Sequence, residues 1–325
     1  EGEYPDIGNF WMTTNNPCDA NMMDNSAMYR ALSNNGQKAV HPLTTPLMYD
    51  DPTTKELGVH EIESAIDFME KQFGRKFDWD AFIRHCEATN QVNREEMERW
   101  DIYCKTDNGC LNAICQGMYR IYFYQQGGTK YFAKSSAKTL KLMYECVEKN
   151  IKPFPNTRHR ALAWSCGSTY YCHGVGWLYN CWGILAVINM DSLTGHNLID
   201  TEDRETMMED LADWYSHTPM RTHTVGGNRH IMQMWETAEK FNCDTIIMYD
   251  DIGCKGMAGA QGLLEEEFAK HRDKFHIIWM PHSLMDCRIV PTNEARRAVN
   301  QYMTDVLHEE PVDPSLVDFD DTLGW

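Results

Sequence analysis

The sequence lacks several features that would define its class at once. No apolar run approaches the roughly 20 residues of a membrane-spanning helix. Basic residues are scarce, with 30 Lys and Arg against 48 Asp and Glu and a net charge of −18. This balance excludes a nucleic-acid phosphate footprint and an anionic membrane surface as partners. The first residues are acidic and polar rather than basic and apolar, so we expect no secretory signal and a cytoplasmic location.

Common local motifs are also missing. The chain has 12 cysteines, but none forms a Cys-x-x-Cys pair. Without a secretory signal, these cysteines are expected to be reduced thiols rather than a disulfide framework. No Gly-Lys-Ser or Gly-Lys-Thr follows a glycine-rich turn, which excludes a P-loop. There are no internal repeats at solenoid periods.

The order of predicted elements indicates an α/β protein with parallel sheets. Apolar strand patterns recur at both ends of the chain, and we predict them at residues 10–14, 38–43, 160–164, 185–188, 244–249 and 275–280. Helical periodicity predicts helices at residues 22–32, 57–73, 79–104, 108–125, 132–149, 203–215, 228–241, 258–270 and 293–308. We therefore divide the chain into an N-terminal α/β part (1–56), a helical region (57–150), a C-terminal α/β part (151–308) and an acidic C-terminal arm (309–325) that is expected to lie over a partner or over the chain itself.

Two cysteines follow predicted strands and open helices. Cys254 lies in Tyr249-Asp250-Asp251-Ile252-Gly253-Cys254-Lys255, and Cys18 follows the strand at 10–14. The carboxyl ends of strands are where ligands bind in open α/β sheets. A helix N-terminus favours the thiolate, which is the form that holds iron. The pair suggests one shared cluster, although a buried cysteine can also act as a small apolar residue.

The loop at 165–173 is a second candidate site. Its polar groups are Ser165, Tyr170, Tyr171 and His173, which we assign to a substrate loop with possible proton donors. Cys166, Cys172, His173 and Cys181 could instead form a zinc site, but their spacing matches no common zinc finger. The surrounding aromatic residues could line a pocket for a planar acyl group or belong to the core, and these are Trp164, Trp177, Tyr179 and Trp182.

Two further loops carry charge. Residues 226–230 form a Gly-Gly-Asn-Arg-His turn before a helix, where a phosphate could bind, although a simple tight turn also explains it. Asp286 and Arg288 follow the last predicted strand, and we expect them to pair for structural rather than catalytic reasons.

Taken together, four segments resemble the 2-hydroxyacyl-CoA dehydratase and benzoyl-CoA reductase family. They are Asn15-Asn16-Pro17-Cys18-Asp19, the segment Glu61–Glu98 with its run from Met69 to Asn90, Gly253-Cys254-Lys255 and Met285-Asp286-Cys287-Arg288. The resemblance implies a core subunit with two Rossmann- or flavodoxin-like subdomains and a helical part. It also implies a [4Fe–4S] cluster held by three cysteines, a homologous second core subunit, and an ATP-hydrolysing Fe–S activator that supplies electrons.

Within that family pattern, Cys18 resembles the second cluster cysteine and Cys254 the third. The first would lie upstream of residue 1, so we expect a missing N-terminal segment. Cys287 departs from the pattern and is assigned no role. The resemblance implies low-potential one-electron chemistry on a CoA thioester through a ketyl radical. Within the family, four features resemble the reductase subunits more closely, and they are the aromatic loop at 165–173, the turn at Gly227-Asn228, the Gly253-Cys254-Lys255-Gly256 segment and the acidic C-terminal extension. The resemblance therefore favours the reduction of benzoyl-CoA or a related aromatic acyl-CoA.

Other functions stay open on the sequence alone. The same fold could dehydrate an (R)-2-hydroxyacyl-CoA to a 2-enoyl-CoA. The chain could also be a non-catalytic subunit that relays electrons, or a flavodoxin-like flavin binder. A flavin site would not need Cys18 or Cys254, which separates the last possibility from the others.

Overall fold

The computed structural model describes residues 10–14, 23, 25–27, 29–30, 39–44, 51–109, 126–165, 174–193, 197–216, 227–283, 286 and 288–319. The chain forms two compact units, one of residues 1–90 and 194–226 and the other of residues 91–193 and 227–325. Both sheets are parallel, which confirms the predicted α/β class. No helix in these described ranges is both long and apolar enough to cross a membrane.

Six strands and eight α-helices are described. The strands are β1 Phe10–Thr14, β2 Ala39–Leu43, β3 His159–Trp164, β4 Ile184–Asn189, β5 Thr245–Asp251 and β6 His276–His282. The helices are α1 Pro52–Phe73, α2 Trp79–Lys105, α3 Lys130–Glu148, α4 Gly174–Trp182, α5 Arg204–Ser216, α6 Gly227–Lys240, α7 Lys255–Ala269 and α8 Thr292–Gln301. A π-helical turn, Tyr302–Val306, extends α8.

In the first unit β1 pairs with β2 in parallel, α1 packs against β2, and α5 packs against α1. Helix α1 starts earlier than predicted because the Asp51 side chain accepts the Thr53 backbone N–H and Pro52 fits the first helical turn. It ends at Gly74, which has the left-handed φ of 64°. The first part of α2 is tied to this unit by Asn90, whose side chain bonds both the carbonyl and the N–H of Ile199 at 2.7 and 2.8 Å.

The second unit is built on a four-stranded parallel sheet in the order β4-β3-β5-β6. Its strands are almost wholly apolar and buried, as expected for a sheet covered on both faces. Helices α4 and α8 pack on one face around Ile247, Ile278 and Met280. Trp279 alternates with these residues and meets Phe268 of α7 on the other face, at 5.4 Å between ring centroids. The unit is therefore a three-layer α/β/α arrangement.

Several predicted boundaries were wrong. Strands β5 and β6 continue to Asp251 and His282, beyond the predicted ends at 249 and 280, because their ladder pairs Asp251 with His282. Helix α4 was not predicted, since its glycine and tryptophan residues resemble a loop. The helix predicted at 293–308 ends at Gln301 and changes to the π-helical turn. Most of the helix predicted at 108–125 lies outside the described residues.

The amino-terminal edge of the second sheet is closed by ion pairs and by the C-terminal arm. His159 lies between two carboxylates, with its Nδ1 at 3.0 Å from Asp244 and its Nε2 at 2.8 Å from Glu309. Further along the arm, the Val312 N–H donates to the Cys181 carbonyl at 2.7 Å, and Trp177 Nε1 donates to the Leu316 carbonyl at 2.8 Å. The described part of the arm, to residue 319, thus packs on its own unit.

Candidate functional site

Polar side chains collect at the carboxyl-terminal edge of the four-stranded sheet. Because all four strands are parallel, their carboxyl ends meet at this edge. The residues that end or follow the strands are Ser165 after β3, Asn189 in β4, Asp250 and Asp251 in β5, and His282 in β6. They come after the apolar middle parts of these strands, so the apolar core does not explain their polarity.

The strand order places a topological switch point between β3 and β5. The chain leaves β3 through α4 to reach β4 on one side, whereas β5 and β6 follow on the other side. Ligands of open α/β sheets bind in the crevice outside the carboxyl ends at such a point. Ser165 and the loop after β5 border this crevice, so the sheet brings together the segments that carry two of the predicted sites.

Cys254 lies at the start of α7, three residues after β5 ends. It is the N-cap residue of this 15-residue helix, with extended backbone angles, and its side chain makes no capping hydrogen bond. The thiol is free and half-buried. A β-carbon at Gly256 would lie 3.9 Å from the Cys254 sulfur, which is an ordinary van der Waals contact. A free, half-buried thiol at a helix N-terminus fits a cluster ligand.

Asp251 forms the turn that leads to Cys254. Its carboxylate accepts the Gly253 N–H at 3.1 Å, and its carbonyl accepts the Cys254 N–H at 2.9 Å. The residue is only 5% exposed. The next residue, Ile252, donates its N–H to the carbonyl of His282 at 3.2 Å, which ties the turn to β6. The position of Cys254 is therefore set by backbone and side-chain bonds of Asp251.

Asp250 and His282 add titratable groups to the same edge. Burial raises the pKa of Asp250, the charge of Asp251 raises it further, and His282 acts in the opposite direction. His282 is buried, and its ring lies edge-on to Tyr249 at 5.4 Å between centroids. A carboxyl group with a raised pKa can exchange a proton with a substrate more readily than an ordinary surface carboxylate.

A buried Trp–His pair lies at the end of β3. Trp164 Nε1 donates to His230 Nε2 at 2.7 Å, and the centroids of the two rings are 4.9 Å apart. An indole N–H only donates, so the neutral His230 carries its proton on Nδ1. His230 belongs to the predicted phosphate turn at 226–230, but its ring is buried against Trp164. Residue 226 lies outside the described residues, and phosphate binding there stays a prediction.

Several predicted site residues lie outside the described part of the chain. They are Cys18, Tyr170, Tyr171 and His173, together with Cys166, Cys172 and Cys287. Ser165 is described, and it is buried with a left-handed φ of 71°. Such a backbone angle costs a non-glycine residue about 1–3 kcal/mol, and strain of this kind clusters at functional sites.

The aromatic residues near the loop form core rather than a pocket wall. Trp164 and Trp182 have no exposed surface, and Trp177 and Tyr179 are buried as well. Cys181 lies in the same apolar cluster, where burial raises its pKa to about 11. Its packing among apolar side chains favours the interpretation of Cys181 as a core residue. Among the described residues there is no group of three or more His, Cys, Asp and Glu side chains that could hold a metal ion.

Asp286 and Arg288 form a pair, as expected. Arg288 bonds both carboxylate oxygens of Asp286, with Nε at 2.8 Å from Oδ1 and a guanidinium nitrogen at 2.6 Å from Oδ2. These bonds lower the pKa of Asp286 to about 2. Both oxygens of the Asp286 carboxylate are therefore engaged by Arg288.

Sequence reasoning missed the roles of Asp251, His282 and His230. A signal was present for the first two, since Asp251 lies two residues after Tyr249 and His282 two residues after Met280, near the end of an apolar run. His230 gave no such signal, because only the fold brings it to Trp164.

Comparison with known proteins identifies the family of this chain. A sequence model of the family described as 2-hydroxyglutaryl-CoA dehydratase, D-component, matches residues 8–281. No curated protein matches the chain. The matched stretch runs from before β1 into β6 and includes Cys18, Cys254 and the crevice at the switch point, and it confirms the resemblance drawn from the sequence. The chain therefore belongs to the 2-hydroxyglutaryl-CoA dehydratase D-component family.

Proposed function

We propose that this protein is a cluster-bearing core subunit of an enzyme that dehydrates an (R)-2-hydroxyacyl-CoA to a 2-enoyl-CoA. The observation that carries the proposal is the free thiol of Cys254 at the switch-point edge, in a chain whose family is that of a CoA-ester dehydratase component. Family membership supports a CoA thioester substrate and partner subunits.

Cys254 would be one ligand of a [4Fe–4S] cluster, and Cys18 would be another. A bound cluster would supply the low-potential electron that this class of reaction needs, delivered by a partner that hydrolyses ATP. The crevice between β3 and β5 would orient the thioester. Ser165, Tyr170, Tyr171 and His173 remain the proposed polar groups of its wall, and Asp250 joins them as a carboxyl group that can take or give a proton.

Reduction of an aromatic acyl-CoA is the second candidate. Part of its support was the group of aromatic residues around the 165–173 loop. Trp164, Trp177 and Trp182 are buried in the sheet core, so these side chains do not form an aromatic substrate wall. Dehydration is therefore the better-supported reaction, and ring reduction is the other outcome of the activity test.

The cluster is tested first by anaerobic purification of the intact complex, with measurement of iron, sulfide and the EPR spectrum. Cys254→Ser should lose most of the [4Fe–4S] signal. Cys146→Ser is the matched control, since Cys146 is also a half-buried free cysteine of the same unit, and it should keep the wild-type iron content. Equal iron in the wild type and both variants would contradict the proposal.

The substrate is then tested with the activated complex. Formation of a 2-enoyl-CoA from (R)-2-hydroxyacyl-CoA supports dehydration, whereas conversion of benzoyl-CoA to a cyclic diene would overturn it in favour of the reductase. A complex that keeps its cluster but binds neither CoA ester would instead identify an electron-relay subunit.

A further inference from the structure

Along the first part of its length, helix α3 presents an exposed side that carries only positive charge. Its lysines are spaced four, four and three positions apart, so they share one side of the helix, and all of them are exposed. The other side is buried and includes Phe132, Ser136 and Met143. We call the exposed set the lysine face, and its residues are Lys130, Lys134, Lys138 and Lys141.

We propose that the lysine face is a docking surface for a partner protein that presents an acidic segment. The inference goes beyond the proposed function, because it requires neither a cluster nor a particular CoA ester. Three observations carry it, and they are the lack of internal counter-charges, the cost of this charge pattern to the helix, and the apolar side chains beside it.

The lysine face has no acidic counterpart in the described part of the chain. No Asp or Glu occurs between Asp107 and Glu145, although 48 of the 325 residues are acidic. Glu145 pairs with Lys149 at 3.7 Å. Within the described residues the lysine face forms no ion pair, whereas six other lysines there each pair with a carboxylate, namely Lys55, Lys76, Lys105, Lys149, Lys270 and Lys274.

This charge pattern opposes the stability of the helix that carries it. Like charges four residues apart on a helix repel each other, as Lys130 and Lys134 do and as Lys134 and Lys138 do. The helix dipole adds to the cost, because the first turn begins with Lys130 and contains no acid, while the last turn contains no base. Folding therefore does not explain the lysine face, and an acidic segment bound along it would relieve both effects.

Two exposed apolar side chains border the lysine face. Tyr131 is 75% exposed and Leu142 is 52% exposed. The Lys130 ammonium lies over the Tyr131 ring, at 5.4 Å from its centroid. Tyrosine is enriched in protein interfaces, whereas lysine is depleted from the cores of large, permanent ones. The combination fits a reversible, salt-sensitive complex with another protein.

The net charge of the chain favours a protein over an extended polyanion. A nucleic acid or an anionic membrane presents charge over a long surface, so it would meet the net charge of −18 as well as the lysine face. Exposed charges are screened beyond about 8 Å at physiological ionic strength. A short acidic segment on a protein therefore interacts with the lysine face and little with the acidic remainder of the chain.

Charge reversal tests the docking surface. The intact complex is separated into its protein components, and each component is added back to this chain at low and at physiological ionic strength. Lys134→Glu/Lys138→Glu should lower the association rate constant of one component by about tenfold or more at low ionic strength, and by less at higher ionic strength. The same component should protect Lys134 and Lys138 of the wild type from acetylation by a lysine reagent.

A matched control makes the same charge change elsewhere. Lys270→Glu/Lys274→Glu alters two lysines that already have acidic partners, so association should stay at the wild-type rate. Thermal unfolding of the free chain separates lost binding from lost folding. The Lys134→Glu/Lys138→Glu chain should be at least as stable as the wild type, because repulsion and the unfavourable dipole interaction are both reduced. If it does not fold, Lys134→Gln/Lys138→Gln takes its place.

Equal association of every component with the wild type and with Lys134→Glu/Lys138→Glu would overturn the docking surface and leave a solvated helix side. An equal loss in both double variants would overturn it as well, because it would show only a general effect of charge. Binding of RNA or of phosphatidylserine vesicles that responds to the variant, without a response from any protein component, would replace it with a polyanion site. A chain that docks through the lysine face but holds no cluster would refute the proposed function and leave this inference intact.

Discussion

The stability of the second unit should depend on pH through His159. The imidazole lies between the Asp244 and Glu309 carboxylates, and its side chain is only 10% exposed. The hydrogen bond to Asp244 raises the pKa of His159, burial opposes this rise, and the bond to Glu309 adds to it. Carboxylates only accept, so a neutral imidazole can donate to one of them, whereas the imidazolium donates to both.

The direction of the pH effect follows from these shifts. The pKa of His159 in the folded protein is raised above the unfolded value of about 6.5. Its contribution to folding stability is therefore complete below about pH 6.5 and is lost as pH rises through the folded pKa. Burial opposes ionisation of Asp244, but bonds from His159 and from the Arg160 N–H lower its pKa. The stabilisation that ionised Asp244 gives is present above its unfolded pKa of about 3.9, and it is lost as pH falls through the lower pKa of the folded state. The bonded group of His159, Asp244 and Glu309 should therefore stabilise the folded second unit most between about pH 4 and 6.5.

The stability cost of losing His159 can be estimated from the solvent exposure of its two carboxylate partners. A hydrogen bond to a charged group is worth about 1.5–3 kcal/mol. The Asp244 side chain is 45% exposed and that of Glu309 is 29% exposed, so both bonds lie toward or below the low end of this range. We expect His159→Gln to cost about 2 kcal/mol at pH 5.5 and about 1 kcal/mol or less at pH 9, after this discount for solvent screening.

Denaturant unfolding of the iron-free chain at the two pH values measures this difference. His60→Gln is the control, since His60 is an exposed residue of α1 in the other unit, and it should change stability little at either pH. A cost of His159→Gln that is the same at pH 5.5 and pH 9 would refute the reasoning, because it would mean that the imidazolium has no special role.

Two further predictions concern glycine and cysteine. Gly183 has a φ of 73°, and a β-carbon there would lie 2.7 Å from the Asn156 carbonyl oxygen, so Gly183→Ala should destabilise by about 1–3 kcal/mol. Gly262→Ala is its control, because nothing lies within 4 Å of a β-carbon there and the change should stabilise by up to about 1 kcal/mol; equal effects in denaturant unfolding would contradict the geometry. Burial raises the pKa of Cys243, so iodoacetamide at pH 8 should label Cys254 well before Cys243 in the folded, iron-free chain, and mass spectrometry showing the reverse order would count against the described burial.

The sequence predicted the elements of the second unit well because its strands are continuous apolar runs. Four parallel strands in the C-terminal part were expected, and all four are present. The ends of β5 and β6 were missed for a physical reason. Asp251 and His282 are polar, yet their backbones continue the ladder and their side chains are buried at the edge. The polar residues therefore placed the predicted strand ends two residues before the ends of the observed hydrogen-bonded ladder.

Contacts between distant residues could not be predicted from local pattern. His159 and Glu309 are 150 residues apart, and nothing near either one indicates its partner. The same holds for Trp164 and His230. The aromatic residues of α4 left a core and a pocket equally open in the sequence, and only the layer arrangement places Trp177 and Trp182 in the core. By contrast, the place of Cys254 between a strand and a helix was predicted from sequence, since the apolar run, the short turn and the helical pattern are all local.

The two edges of the four-stranded sheet show why the candidate site is at only one of them. At the amino edge, His159 bonds the carboxylates of Asp244 and Glu309, and the C-terminal arm packs beside them. The charged groups at this edge therefore stabilise the fold. At the carboxyl edge, Asp250 bears a raised pKa and Ser165 a strained backbone, and both cost stability rather than add to it. A fold keeps such unfavourable features where another function requires them. If the proposed site lies at the carboxyl edge, substitutions there should change cluster or substrate properties more than they change the free energy of unfolding.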